Sequence, residues 1–427
     1  MVPGALPRRA AGGALRRPLL FVAALLAGLA AAFCLVPLGG GAQEPPAVLY
    51  GRAVSEVHGV GALRAGAAAV RIALSARPVV AGYGGHRRAQ SAEPVFARAI
   101  ALEVGGARAY LAVVDTLLIP GELEQEVLRR AALGPRTCLL LAATHTHSGP
   151  GGAWDSAIAG WAGAGGFDRA QRDAIAQAAA QALQEAAAAL APAELLVARE
   201  EWTQGPARAR SDGPIDPELV ALRLRRPGGA PVATLIDYAM HPTSAPHDRI
   251  SPDWPGEVPA TLAPRSGGAN GEPALVVQGA VGNSTWLRGA PLAAAVAAES
   301  ARILALAAPE VAPALGCETR IVALPAARAS ARVPWIARRA FANVLALGME
   351  HAAVQTRLRL GSLLLVGVPG EPVGELGIAA RPAVLVGLAD GYLGYVETPE
   401  RWQAGGGESA KTYFGPELAH ALGLWPR

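Results

Sequence analysis

Apolar and polar positions along this 427-residue chain alternate in blocks whose lengths suit mixed strands and helices. Val95 to Val104 and Ala109 to Thr116, parted by Gly105-Gly106, read as a strand hairpin. Gly121 to Leu133 reads as an amphipathic helix, and Thr137 to Ala143 as a short strand of the buried type. Asp168 to Leu190 is an Ala-rich helix ahead of Pro192. Leu219 to Leu224 and Val232 to Ala239 flank a Pro/Gly turn as a second hairpin. Further on, Leu275 to Gln278 predicts a strand, Pro291 to Leu306 a helix, and Leu358 to Val368 and Ala383 to Leu388 two more strands. No internal repeat or convincing internal linker interrupts this series, so one domain is expected after the first 42 residues.

Those first 42 residues follow a different pattern. Arg8, Arg9, Arg16 and Arg17 precede an apolar run from Pro18 to Leu38 that contains no acid, which is the chemistry of export. The run exceeds the roughly 7–15 apolar residues usual in a cleaved signal and is about long enough to span a bilayer. A signal peptide cleaved near Gly40-Gly41-Ala42 and a retained membrane anchor are both open, so the protein is expected to be periplasmic, secreted or membrane-anchored. Phe33 is too bulky to precede a lipidated Cys34. Composition matters here through charge. The formal net charge of +4 resides entirely in this segment and is zero without it, which removes the main support for nucleic-acid binding. Cys138 and Cys317 remain beyond the segment, compatible with one disulfide or two buried thiols.

Candidate chemistry gathers where apolar strands run into Gly/Pro-rich turns, a common place for catalytic residues because the strand fixes the root of the loop. The first such place is Thr144-His145-Thr146-His147-Ser148-Gly149-Pro150-Gly151-Gly152. In an extended segment His145 and His147 point to the same side, which suits one histidine on a metal and the other on substrate. Such a pair also fits a loop whose histidines merely cap backbone groups. The glycines after it suggest a backbone that approaches a ligand closely. His241 follows another strand, held toward an extended conformation by Pro242. Alone it fits a hydrogen-bonded core position. Glu371 in Val368-Pro369-Gly370-Glu371-Pro372 alone fits an exposed turn, and Tyr395 alone fits packing, since a phenolate ligand needs a cation to lower a pKa of about 10.

Taken in order, the Thr144–Gly152 segment, His241-Pro242-Thr243-Ser244, Pro369-Gly370-Glu371 and the Tyr392/Tyr395 segment resemble the neutral (non-lysosomal) ceramidase family over most of residues 50–420. The resemblance implies an α/β fold with two mixed β-sheets packed centrally, helices flanking them, and a single catalytic domain over residues 43–427. It implies zinc held by His145, His241, Glu371 and Tyr395, with Tyr392 as the alternative tyrosine. His147 would stand near the scissile carbonyl, and Arg210 matches an arginine that reaches into the family's site. The family nucleophile is the serine of Gly-Asp-Val-Ser-Pro, and here Gly282-Asn283-Ser284-Thr285-Trp286 departs from it. Thr285 takes the nucleophile's place and Ser284 lies one residue away, pointing the opposite way if the segment is a strand. The chain also stops at Arg427, soon after a segment that looks like the end of the family's catalytic domain, so the immunoglobulin-like domain of known members is expected to be absent.

The expected function is an exported zinc-dependent hydrolase of the amide bond of an N-acyl sphingoid lipid, or of a related small amide or ester. Membrane association would run through residues 18–38. The competing reading is a metal-binding relative that has lost its nucleophile. An amidohydrolase barrel using His145 and His147 as a two-ligand motif fits poorly, because that motif belongs on an early strand of a regular strand–helix series.

Overall fold

The computed structural model describes Phe33 and residues 44–266 and 273–426. The expected export segment, residues 1–42, lies outside the described residues apart from Phe33. Among the described residues no helix is long and apolar enough to cross a membrane.

The long apolar strands assemble into three larger sheets. The first orders Cys138–Ala143, Ala107–Val114, Phe96–Val104, Leu63–Arg71 and the short Ala191–Pro192 side by side. Its hairpin pairs Ala97 with Val114 and Val104 with Ala107, turning at Gly105-Gly106 as the sequence predicts. Cys138–Ala143 joins its edge in parallel. A second sheet orders Glu194–Glu201, Glu218–Arg225, Pro231–Tyr238 and Ala274–Val277. The third orders Val384–Val386, Leu363–Gly367, Ala352–Leu360, Leu315–Ala323 and Ser55–Gly59. All three mix parallel and antiparallel pairs.

One face of the first sheet meets the second and third sheets in a common core that includes Ile100, Leu111, Leu222, Leu235, Leu358 and Leu365. Its other face carries the Ala-rich helix Arg169–Ala188, whose buried alanines let it lie close to the strands. Asp168 caps that helix by accepting from the Gln171 amide. Helices Asp253–Ser266 and Leu292–Ala305 cover the second sheet. The architecture is therefore the expected α/β domain with mixed sheets at the centre and helices outside, with three larger sheets where two were expected. One element differs: Leu358 to Val368, expected as a single strand, is two antiparallel strands turning at Gly361-Ser362, where Gly361 takes φ +57°. A continuous apolar run hides such a turn, because both strands are buried.

Two buried features tie the sheets together. Cys138 and Cys317 form a disulfide, linking the first sheet to the third across a sequence separation of 179 residues. Arg52, fully buried, donates to Glu124, Thr319 and Thr356 and lies 3.9 Å from Asp390. Burial pushes both carboxyls up, and Arg52 opposes that. Asp390 in turn accepts from the Thr356 and Leu141 amides, pinning the loop that carries Tyr392 and Tyr395 to a strand of each of two sheets.

Reduction of the disulfide, or Cys138→Ala with Cys317→Ala, is expected to lower stability by about 2–4 kcal/mol, read as a shift of the denaturant midpoint. Arg52→Met leaves two buried carboxylates without their cation and is expected to cost about 3–5 kcal/mol in the same measurement.

Candidate metal centre

The ends of three strands and the loops after them converge on one buried cluster. His145 follows the Cys138–Ala143 strand in a left-handed conformation, φ +65°, which non-glycine residues seldom adopt and which turns its ring inward. Its Nδ1 donates to the Leu117 carbonyl at 2.8 Å. His147 donates from Nδ1 to the Gly82 carbonyl at 2.9 Å. Gly82 takes φ +113°, and a Cβ there would come within 2.0 Å of the His147 carbonyl oxygen, so only glycine permits this approach. His241 arrives from the Pro231–Tyr238 strand, its Nδ1 shared between the Val281 and Ser284 carbonyls at 3.0 Å each.

A carbonyl can only accept, so each of these contacts fixes a proton on Nδ1, and in the neutral ring the lone pair is then on Nε2. Those nitrogens face one another: His145 Nε2 is 3.3 Å from that of His241 and 3.3 Å from that of His147. Burial, then the neighbouring histidines, hold His147 well below its ordinary pKa. Burial, then Arg210, lowers His241 to about 4. Neither imidazole carries a second proton near neutrality.

Glu371 closes the cluster from the end of the third sheet, on a two-residue strand that pairs in parallel with Tyr395-Val396. Its Oε2 stands 3.0 Å from His241 Nε2 and 3.3 Å from His145 Nε2, buried and with no hydrogen-bond donor. Burial alone would raise this carboxyl, but His145 and His241 outweigh it and keep the group ionised. Its other oxygen, Oε1, accepts from the Tyr392 hydroxyl at 2.8 Å. Tyr395 stands on the inner side, its hydroxyl 3.5 Å from His241 Nε2. Burial and Glu371 push the Tyr395 phenol well above its usual range, while Arg210 opposes them.

Arg210 donates to the Tyr395 hydroxyl at 2.6 Å and to the Gly282 carbonyl at 2.8 Å, with Glu408 3.3 Å from its Nε. All the expected ligands therefore come together, with His147 and Arg210 beside them. The structure separates the two tyrosines: Tyr392 orients the carboxylate and Tyr395 borders the bare nitrogens.

The donor set fits a metal ion. His145, His147 and His241 present ligand atoms within 4.8 Å of one another. Three neutral imidazole nitrogens and an unpartnered carboxylate oxygen, with every Nδ1 anchored to a carbonyl, is the arrangement zinc sites use.

The two candidate nucleophiles differ sharply. Ser284 is fully buried, and its hydroxyl donates to the Val281 carbonyl, which also accepts from His241 Nδ1. That places its hydroxyl behind His241, on the side away from Nε2. Thr285 is half-buried on the short strand Ser284–Trp286, paired with Arg208, and alternation turns it to the opposite side from Ser284. Asn283 holds the loop: its Nδ2 donates to the Gly213 and Pro214 carbonyls, and its Oδ1 accepts from the Gly374 amide.

Some of the arrangement left little trace in the sequence. Lys411, the single lysine of the chain, sits 4.6 Å over the Tyr395 ring, and Glu408 steadies both Lys411 and Arg210. No strand end announces either residue. Gly82 and the carbonyl of Leu117 were equally silent, though the Gly82-Tyr83-Gly84-Gly85 run is the kind of signal that marks close backbone approach.

Comparison with known proteins agrees with the motifs. Residues 79–257 match the family model of neutral/alkaline non-lysosomal ceramidase, N-terminal, a span that holds His145, His147, Arg210 and His241. Among solved structures, a neutral ceramidase from Pseudomonas aeruginosa aligns with a TM-score of 0.71 at 22% identity, covering 85% of this chain and 73% of that one. A ceramidase complexed with C2 aligns with a TM-score of 0.71 at 21% identity, covering 84% and 73%. No curated protein matches the chain. Residues 79–257 thus resemble the N-terminal segment of the neutral/alkaline non-lysosomal ceramidases, and the chain has the fold of a neutral ceramidase.

Proposed function

We propose that this protein is an exported, zinc-dependent hydrolase of the ceramidase type, cleaving the amide bond of an N-acyl sphingoid lipid or a closely related amide or ester. The single observation that carries the reading is the cluster of bare Nε2 atoms around the unpartnered Glu371 Oε2. His145, His241, Glu371 and Tyr395 would hold the ion, with Arg210 taking up charge on the Tyr395 oxygen. When bound, zinc supplies Lewis-acid polarisation of a carbonyl oxygen. His147, outside that ligand set, has its proton on Nδ1 and turns a bare Nε2 toward the cluster, where it is placed to accept a hydrogen bond or a proton from a group bound there.

Thr285 is the better-placed nucleophile, because Ser284 has committed its hydroxyl behind His241. Tyr392 and the Asp390 loop keep the carboxylate in register. The N-terminal arginines and apolar run, with the disulfide, support export to an oxidising compartment. The alternative, a relative that binds metal without turnover, draws on the substituted Gly282–Trp286 segment, and the bracing role of Asn283 weakens it.

Metal analysis of the purified protein should find about one zinc per chain, lost in His145→Ala and in His241→Ala. A parent protein without zinc ends the reading. Hydrolysis of a short fluorogenic N-acyl sphingosine should fall at least about 100-fold in Thr285→Ala and by less than about tenfold in Ser284→Ala. The reverse order would move the nucleophile to Ser284, and a parent without turnover would favour the metal-binding alternative.

A further inference from the structure

The helix Trp335–Gly348 breaks the rule that an amphipathic helix turns its apolar stripe inward. Ile336, Ala340, Val344 and Leu347 recur at i, i+4, i+8 and i+11 and so share one face. That face is turned to solvent: Ile336 is 66% and Leu347 71% exposed, with Val344 and Phe341 also exposed. Trp335, 80% exposed, stands at the start of the helix. The inner face is held by Ala342, Asn343 and Leu345. Beyond the helix end the apolar surface continues, since a Cβ on Gly348 would lie 3.6 Å from Ile158 Cδ1, and the exposed Trp161 follows Ile158. A contiguous apolar patch of this kind marks an interaction site.

The charge around the stripe selects the partner. From Ala323 to Met349 the chain has four arginines and no acid. Arg328 pairs with Glu417, but Arg332 donates to the Gly405 carbonyl and Arg338 to the Val333 and Ala331 carbonyls, so neither charge is neutralised by its partner. Arg339 is exposed on the helix itself. An apolar stripe edged by uncompensated arginines is the composition of a helix that lies in the headgroup plane of an anionic bilayer.

Two further contacts agree with that partner. Asn343 donates to the carbonyl of Phe33, a residue of the apolar N-terminal run, so that residue sits beside the helix. At its other end Gly348, Met349 and Glu350 line a cavity of about 260 Å³ whose walls include Trp154 and Tyr392. Tyr392 is the donor to Glu371.

We propose that the exposed face of the 335–348 helix, extended by Ile158 and Trp161, docks this protein on an anionic lipid bilayer, with the cavity beside Tyr392 at the membrane surface. The inference rests on the lipid-hydrolase reading and deepens it by stating where the protein meets an insoluble substrate. It is tested apart from turnover.

A fluorophore attached at Leu347→Cys in the full chain, in a Cys34→Ser background, reports the environment of the face, since Cys138 and Cys317 are already joined. On adding vesicles of phosphatidylglycerol and phosphatidylcholine, its emission should shift to the blue and become accessible to lipid-borne quenchers and protected from iodide. The effect should be weaker on phosphatidylcholine alone and diminish in about 1 M salt. A label that stays open to iodide on vesicle-bound protein overturns docking. So does a label already shielded before vesicles are added, which assigns the face to residues 18–38 or to a second copy of the chain.

In a second measurement, Ile336→Asp with Leu347→Asp should slow hydrolysis of a vesicle-embedded substrate at least about tenfold and leave a dispersed short-chain substrate within about twofold. Equal loss on both substrates counts against docking. A parent inactive on both defeats the hydrolase reading, while the fluorescence result still decides the membrane contact.

Discussion

Three imidazoles that have already given their Nδ1 protons to main-chain carbonyls face one another and a carboxylate inside this protein. Nothing in the protein itself satisfies that arrangement. A buried, ionised carboxylate with one oxygen lacking a donor is costly, and adjacent lone pairs at 3.3 Å repel rather than bond. A cation among them turns the same geometry from a liability into a binding site. The rest of the structure serves to hold that cluster closed against its own repulsion, which explains why its anchors are backbone carbonyls and buried ion pairs rather than mobile surface groups.

Rigidity comes from where the sheets meet. His145 follows a strand of the first sheet, His241 one of the second and Glu371 one of the third, so each of these side chains is rooted in a different sheet. The common core of those sheets is what fixes their separation. Arg52 and Asp390 extend the same control to the tyrosine loop, because Asp390 takes amide protons from both the Thr356 and Leu141 strands. Close main-chain approach completes the positioning. A Cβ at Gly282 would fall 2.7 Å from the Glu371 carbonyl oxygen, so the loop behind His241 and the strand bearing the carboxylate can touch only through glycine.

Much of this was legible in the sequence because the same physics writes both. Strands rich in Val, Leu and Ala that end in Gly/Pro turns located His145, His241 and Glu371, and the order of the motifs joined residues more than 200 positions apart into one site. Tyr395 could be separated from Tyr392 only by the structure, since both follow the same strand and three residues decide which one meets the histidines. Glu408 and Lys411 were invisible because they act from a loop with no periodic signature, through contacts with Arg210 and the Tyr395 ring. The turn at Gly361 was hidden for the opposite reason: both flanking strands are fully apolar, and periodicity cannot mark a reversal that stays in the core.

The departure at Gly282-Asn283-Ser284-Thr285-Trp286 also looks different in three dimensions. An aspartate at position 283 could accept from the Gly374 amide but could not donate to the Gly213 and Pro214 carbonyls, as the Asn283 amide does. Asparagine is thus fitted to bracing this particular loop, and its presence says little about lost chemistry. Ser284 serves the same brace, its carbonyl accepting from His241 Nδ1 and its hydroxyl closing onto Val281. With the side chains of Asn283 and Ser284 both engaged in bracing the loop, the departure at these two positions has a structural cause, and Thr285 alternates to the other side of the short strand.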